Sequence, residues 1–257
     1  MAHYWNNNGT LQDLSPPWDG YSFDAPQVIS AYIKYCKRII DEIQPDYFAY
    51  GIEVNAGLKQ NTEYYDDFLV LTDTVYHRLK QDYPQLPVML TFQDQSHNKT
   101  KPELLALTRT LLPYSDYMAV STYPFWLHNQ NYTDSNPQHI PAGWLTEMHH
   151  LAPDKPFIIS ETGYIAEDLS LPSINLYIQG NENWQNEYLK KLLQKSNELQ
   201  AKFVCWFVYR DYDLLYQSIN NPPESYRIWK DNGLLDGTGN RRPAYDTWLS
   251  WLDKRRL

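Results

Sequence analysis

Two glutamates carry the chemistry this sequence suggests. Glu53 follows the apolar run Tyr47–Gly51 in Tyr-Gly-Ile-Glu-Val-Asn, and Glu161 follows Phe157–Ser160 in Ile-Ile-Ser-Glu-Thr-Gly-Tyr. A carboxylate placed where an apolar strand ends is costly unless it is hydrogen-bonded or functional. Two such groups suit cleavage of a glycosidic bond. One must be protonated to help the leaving oxygen depart, and the other ionised to attack the anomeric carbon. Environment separates the two roles: apolar or anionic surroundings raise one pKa, and hydrogen-bond donors stabilise the other charge. The alternative is structural, with either glutamate forming a core ion pair with Arg210.

Groups that act together need a frame to hold them. Five short runs, nearly apolar on both faces, read as buried parallel strands: Tyr47–Gly51, Val88–Phe92, Tyr117–Ser121, Phe157–Ser160 and Phe203–Val208. Helices are expected over Pro26–Ile43 (capped by Asp24), Glu63–Tyr83 (after Thr62), Pro102–Leu112, Gly143–Leu151, Glu182–Gln200 and Pro243–Lys254. The segment Ser170–Asn181 reads as a long loop able to overhang a site. Strands alternating with helices predict a parallel sheet with right-handed crossovers. Polar and aromatic residues gather after all five strands: Glu53 and Asn55; Gln93, Asp94 and Gln95; Tyr123, Phe125 and Trp126; Glu161 and Tyr164; Arg210, Asp211 and Asp213. The carboxyl ends of parallel strands are where such folds place their sites.

Composition narrows the function further. The chain has 257 residues and a formal net charge of −9, which argues against nucleic acid or an anionic membrane as partner. Its 22 Tyr and 9 Trp exceed what a core needs and suit a cleft that stacks on sugar rings. Cys36 and Cys205 read as two buried thiols. The histidines are dispersed, with His3 at a strand end, so the clustered ligands of a metal hydrolase are not visible. The first residues lack the basic start and apolar stretch of a signal peptide, and no apolar run is long enough to cross a membrane.

Several motifs resemble clan A glycoside hydrolases. The acid/base of that clan follows strand 4 and its nucleophile strand 7, matching Gly51-Ile52-Glu53-Val54-Asn55 and Ser160-Glu161-Thr162-Gly163-Tyr164. Within the clan, Ser121-Thr122-Tyr123-Pro124-Phe125-Trp126 resembles the strand 6 motif of endo-β-1,4-galactanases (glycoside hydrolase family 53). His3-Tyr4-Trp5 with Pro16-Pro17-Trp18 resembles that family's strand 3 exit loop. Trp206 matches the aromatic often found at strand 8, and Gly233–Asp236 through Arg242–Tyr245 resembles the closing loop and last helix. The resemblance departs at Ile52, where clan members usually carry the Asn that bonds the sugar 2-hydroxyl; Asn55 is the candidate to stand in.

The resemblance implies an α/β fold, a (β/α)8 TIM barrel of which strands 4 to 8 and a tail of strand 3 at Met1–Trp5 are visible. This is consistent with an N-terminal truncation of a single domain, residues 1–257. A missing N-terminus could carry a secretion signal, since the family is usually secreted. The implied activity is a retaining β-glycosidase acting on an oligo- or polysaccharide without a cofactor. Glu161 is the nucleophile and Glu53 the acid/base. Tyr123 is expected to hydrogen-bond the nucleophile. Trp5, Asn55, Gln93, Asp94, Trp126, Trp206 and Arg210 join it as substrate contacts. A non-catalytic carbohydrate-binding barrel and a different, metal-dependent barrel hydrolase are the competing readings.

Overall fold

All five expected strands form. A computed structural model describes residues 16, 18–56, 62–94, 101–127, 133–252 and 254; the side chains of Lys101, Trp126 and Leu127 fall outside that description. In chain order the elements are α1 (Pro26–Ile43), β1 (Phe48–Gly51), α2 (Glu63–Asp82), β2 (Val88–Gln93), α3 (Lys101–Leu111), β3 (Met118–Thr122), α4 (Pro124–Leu127), α5 (Thr146–His150), β4 (Phe157–Thr162), β5 (Leu169–Leu171), β6 (Leu176–Ile178), α6 (Glu182–Glu198), β7 (Val204–Trp206), α7 (Asp213–Ser218) and α8 (Pro243–Leu252). The strand order is β1-β2-β3-β4-β7, with parallel pairing in each sheet contact that can be assigned a register. The expected strand 3 tail, with His3 and Trp5, lies outside the described residues, as does Gln95.

The chain divides into two compact units, and the division falls within β4. The first holds α1 through β3 as far as Ser121, then Glu147–Ile158. Its core is the expected one: Val88–Phe92 and Met118–Val120 are buried throughout, covered by Leu71, Val75 and Leu79 of α2 and Leu107 and Leu111 of α3. Alternate faces of the strands have no water to meet, so both faces are apolar. Helices α1 and α2 are tied by Lys37–Asp82 at 2.9 Å, and Phe23, just before α1, meets Phe68 of α2 edge to face.

The second unit holds Thr122–Thr146 and the chain from Ile159 onward. Here α6 packs against α8, joined by Thr247 Oγ1 to Asn186 Oδ1 at 2.6 Å. The expected loop Ser170–Asn181 is instead mostly an antiparallel pair, β5 with β6, whose register runs from Leu169↔Ile178 to Leu171↔Leu176. Leu169, Leu171 and Ile178 bury their side chains.

Helix starts separate two kinds of signal. Thr62 accepts the Tyr65 amide at 3.3 Å and Asn181 the Trp184 amide at 2.9 Å, as N-caps do. Asp24 is no cap: Ala25 occupies that position and Pro26 opens the helix, while Asp24 accepts the Ser22 hydroxyl instead. Strand β7 is shorter than expected and only half-buried, and its Cys205 is exposed rather than buried. Cys36 is buried, as expected.

Candidate active site

Both strands that carry the candidate carboxylates hold one extra residue relative to their partners. Strand β1 advances from Ala49 to Gly51 while β2 advances from Met89 to Leu90, just before Glu53. Strand β4 advances from Ile159 to Thr162 while β7 advances from Val204 to Trp206, and Glu161 lies inside that step. Such bulges bend a strand and re-aim a side chain, and they recur beside active sites.

In the first unit, Glu53 has φ 48°, a left-handed conformation rare for a non-glycine residue. Three neighbours hold it there. Its amide donates to Thr91 Oγ1 at 2.8 Å, the Ser121 hydroxyl donates to Oε1 at 2.5 Å, and the Gln93 side-chain amide donates to Oε2 at 3.4 Å. Gln93 is therefore beside Glu53. Asn55 is a fully buried clasp: its Oδ1 accepts the Gln93 amide at 2.7 Å, and its Nδ2 donates to Gln93 O at 2.9 Å and Thr108 Oγ1 at 3.2 Å. With both ends of its amide engaged inside the unit, Asn55 secures the strand end and does not present the amide expected to stand in for the missing Asn. Asp94 is also buried, with its amide donating to Ser121 O at 2.7 Å. Ile52 is 37% exposed, an apolar group beside Glu53.

In the second unit, the Tyr123 hydroxyl donates to Glu161 Oε1 at 2.5 Å, the hydrogen bond expected of it. The Tyr123 ring is buried against Trp229 (centroids 4.6 Å) and Phe125 (6.2 Å), so the hydroxyl is held by packing on both sides. Thr162 turns to the opposite face, bonding Thr122 O at 2.7 Å and the Tyr188 hydroxyl at 2.5 Å. The Gly163 of the Glu-Thr-Gly motif has a clear cause: a Cβ there would collide with the carbonyl oxygen of Phe207.

Trp206 packs toward the helices. Its ring meets Tyr188 of α6 and Trp248 of α8, and its Nε1 donates to Asn232 O at 2.9 Å. Alternation along β7 then puts Cys205 on the other face, the face of Glu161, and that carboxylate adds to burial in raising the thiol pKa. Trp144 is buried, and its Nε1 donates to Thr122 Oγ1 at 3.0 Å. Arg210 is exposed and donates to Gly237 O at 2.5 Å. Trp5, and the side chain of Trp126, lie outside the description.

The core ion pair belongs to a residue that site reasoning passed over. Arg242, 2% exposed, bonds Asp211 at 2.8 Å, Glu167 at 2.8 Å and Glu182 at 3.2 Å. Burial, partly offset by Arg242 and the Gly233 amide, pushes the Asp211 pKa up to about 7. Glu167, Asp211 and Asp231 bring oxygens within 4.8 Å of one another, a spacing that metal ligands share. Arg242 and Lys230 already compensate those charges, Lys230 reaching Asp231 at 2.5 Å. Ser121 and Trp229 were also missed. Ser121 was findable, because it stands two residues before Tyr123 and a strand puts such residues on one face.

The sequence matches no protein-family model and no curated protein. Solved structures do match it. The Dictyoglomus thermophilum β-D-glucuronidase superposes with TM-score 0.59 at 14% identity, over 95% of this chain and 39% of its own. The Faecalibacterium prausnitzii β-glucuronidase gives 0.60 at 17%, over 91% and 36%, and that of an uncultured Clostridium sp. 0.62 at 11%, over 89% and 36%. The fold of this chain resembles part of the fold of these β-glucuronidases. The chain spans less than two-fifths of the length of those proteins. The Ruminococcus gnavus β-glucuronidase has been solved in complex with D-glucuronic acid. These neighbours are β-glucuronidases, and the α/β barrel-type fold expected from the sequence has a structural counterpart in part of each of them.

Proposed function

We propose that this chain carries the catalytic residues of a retaining β-glycosidase, with Glu161 as nucleophile and Glu53 as acid/base. One observation carries the reading: the three-residue segment Ser121-Thr122-Tyr123 supplies a hydroxyl to each candidate carboxylate, Ser121 to Glu53 and Tyr123 to Glu161. The packed Tyr123 hydroxyl holds Glu161 Oε1 in place, which suits Glu161 as the attacking group. Glu161 attacks the anomeric carbon while Glu53 protonates the departing oxygen. Water then opens the glycosyl-enzyme with Glu53 as base. The β-glucuronidase neighbours make β-glucuronides the first substrates to try, and the sequence motifs make β-1,4-galactan the second. Ile52 favours one further reading, a carbohydrate-binding barrel without turnover, because it cannot supply the 2-hydroxyl contact.

The test is a screen of aryl β-glucuronides, aryl β-galactosides and galactan, with product stereochemistry followed by NMR, using wild type, Glu161→Ala and Glu53→Ala. Retained configuration, lost in both variants, is the expected result. Turnover that survives in both variants rules the assignment out, and saccharide binding without turnover selects the binding reading. A crystal structure is expected to place the two carboxyl groups about 5–5.5 Å apart; about 9 Å would indicate inversion.

A further inference from the structure

We propose that Ser121 is a positioning residue for Glu53, a hydroxyl that stays bonded to the carboxyl group as it gains and loses its proton. This rests on the reading of Glu53 as acid/base. The Ser121 side chain is completely buried and sits 2.5 Å from Oε1. Its strand position is fixed by pairing with Gln93 and by the Asp94 amide, which donates to the Ser121 carbonyl at 2.7 Å. The backbone of Glu53 is fixed separately, through Thr91. Hydroxyl and carboxyl thus stand on segments either side of β2, each anchored to it separately, and neither has to move for the bond to persist.

The chemistry of the hydroxyl suits a group that must serve as acid and then as base. A serine offers one donor and two acceptor lone pairs. It can donate to the carboxylate and accept from the carboxylic acid by rotating its proton. The backbone amide or lysine found beside many carboxylates can only donate. The two bonds are unequal: a hydrogen bond to an ionised group is about twice as strong as a neutral one. Ser121 therefore biases Glu53 toward its ionised form, the form required when water opens the glycosyl-enzyme. The bias stops short of abolishing the acid form, because that form keeps a partner too.

The experiment titrates Glu53 directly in the full chain. Side-chain carboxyl carbons of 13C-glutamate-labelled protein are followed by NMR, with Glu53→Gln assigning the resonance, in wild type, Ser121→Ala, Ser121→Thr and Ser121→Cys. Circular dichroism and urea unfolding check each fold. Removal of the hydroxyl is expected to raise the Glu53 pKa by roughly one unit. Thr is expected to restore it, and Cys, a weak donor, to fall between. With a substrate in hand, the alkaline limb of kcat/KM moves up by the same amount in Ser121→Ala, and KM stays nearly constant. A Glu53 titration unmoved in folded Ser121→Ala, or in folded Ser121→Cys should the alanine variant not fold, overturns the proposal. A wild type that turns over no glycoside overturns the glycosidase reading instead, and the titration still decides whether Ser121 governs Glu53.

Discussion

Glu53 occupies a backbone conformation that glycine adopts without cost and a side chain resists. Positions of this kind persist where surrounding hydrogen bonds over-determine them, and they cluster at functional sites. Glu53→Ala and Glu53→Gly both remove the carboxylate, but only the glycine relieves the backbone. The glycine variant is expected to be more stable than the alanine variant by about 1 kcal/mol in urea unfolding. Equal stabilities would show that the conformation carries no strain. Tyr123 makes the complementary case, since its ring is packed and its hydroxyl bonds Glu161. Tyr123→Phe should keep the fold and lower kcat roughly ten- to a hundredfold, as loss of one hydrogen bond to a charged group does. An unchanged kcat would detach Tyr123 from the chemistry. At this scale the sequence was partly legible. Strand alternation and the carboxylate motifs pointed to Glu53, Glu161 and Tyr123. Asn55 and Trp206 show the limit, because residue type reveals a polar or aromatic group at a strand end but not which face it turns to.

Strand and helix positions follow hydrophobic period, and they were read correctly to within a few residues. The bulges in β1 and β4 were invisible, because one extra residue leaves the apolar pattern of a short strand intact while changing where the next side chain points. The β5–β6 pair was missed for a related reason, three-residue strands being too short to show a period. Capping offers a direct comparison. Asn181→Ala removes a real cap from α6 and should destabilise by about 1 kcal/mol, whereas Asp24→Ala should be close to neutral. Thermal unfolding of the two variants side by side checks this, and a comparable loss from Asp24→Ala would restore that residue as a cap.

At the scale of the whole molecule, stability and size are the measurable quantities. The Arg242 cluster gathers carboxylates from Glu167, Glu182 and Asp211 around one buried cation. Asp211 has a folded pKa raised to about 7, so its contribution to stability is greatest while it is protonated. That contribution is present below about pH 4 and is lost as the pH rises through about 7. Wild type is expected to lose urea stability across that interval through this group, and Asp211→Asn to lack that slope; parallel profiles would rule the effect out. The extent of the chain relative to its structural neighbours was not legible in composition, which describes a polypeptide and not the share of a larger fold it spans. Strand β7 has a last practical consequence. It leaves Cys205 exposed on the Glu161 face, while Cys36 is buried with its thiol pushed up to about 11. The natural sequence therefore holds a single reachable anchor for a fluorophore, beside the candidate nucleophile. Ellman's reagent at mildly alkaline pH should consume one thiol in the native protein and the other only in denaturant. On the proposed glycosidase reading, a dye attached there reports saccharide entering or leaving, without any enzymatic turnover.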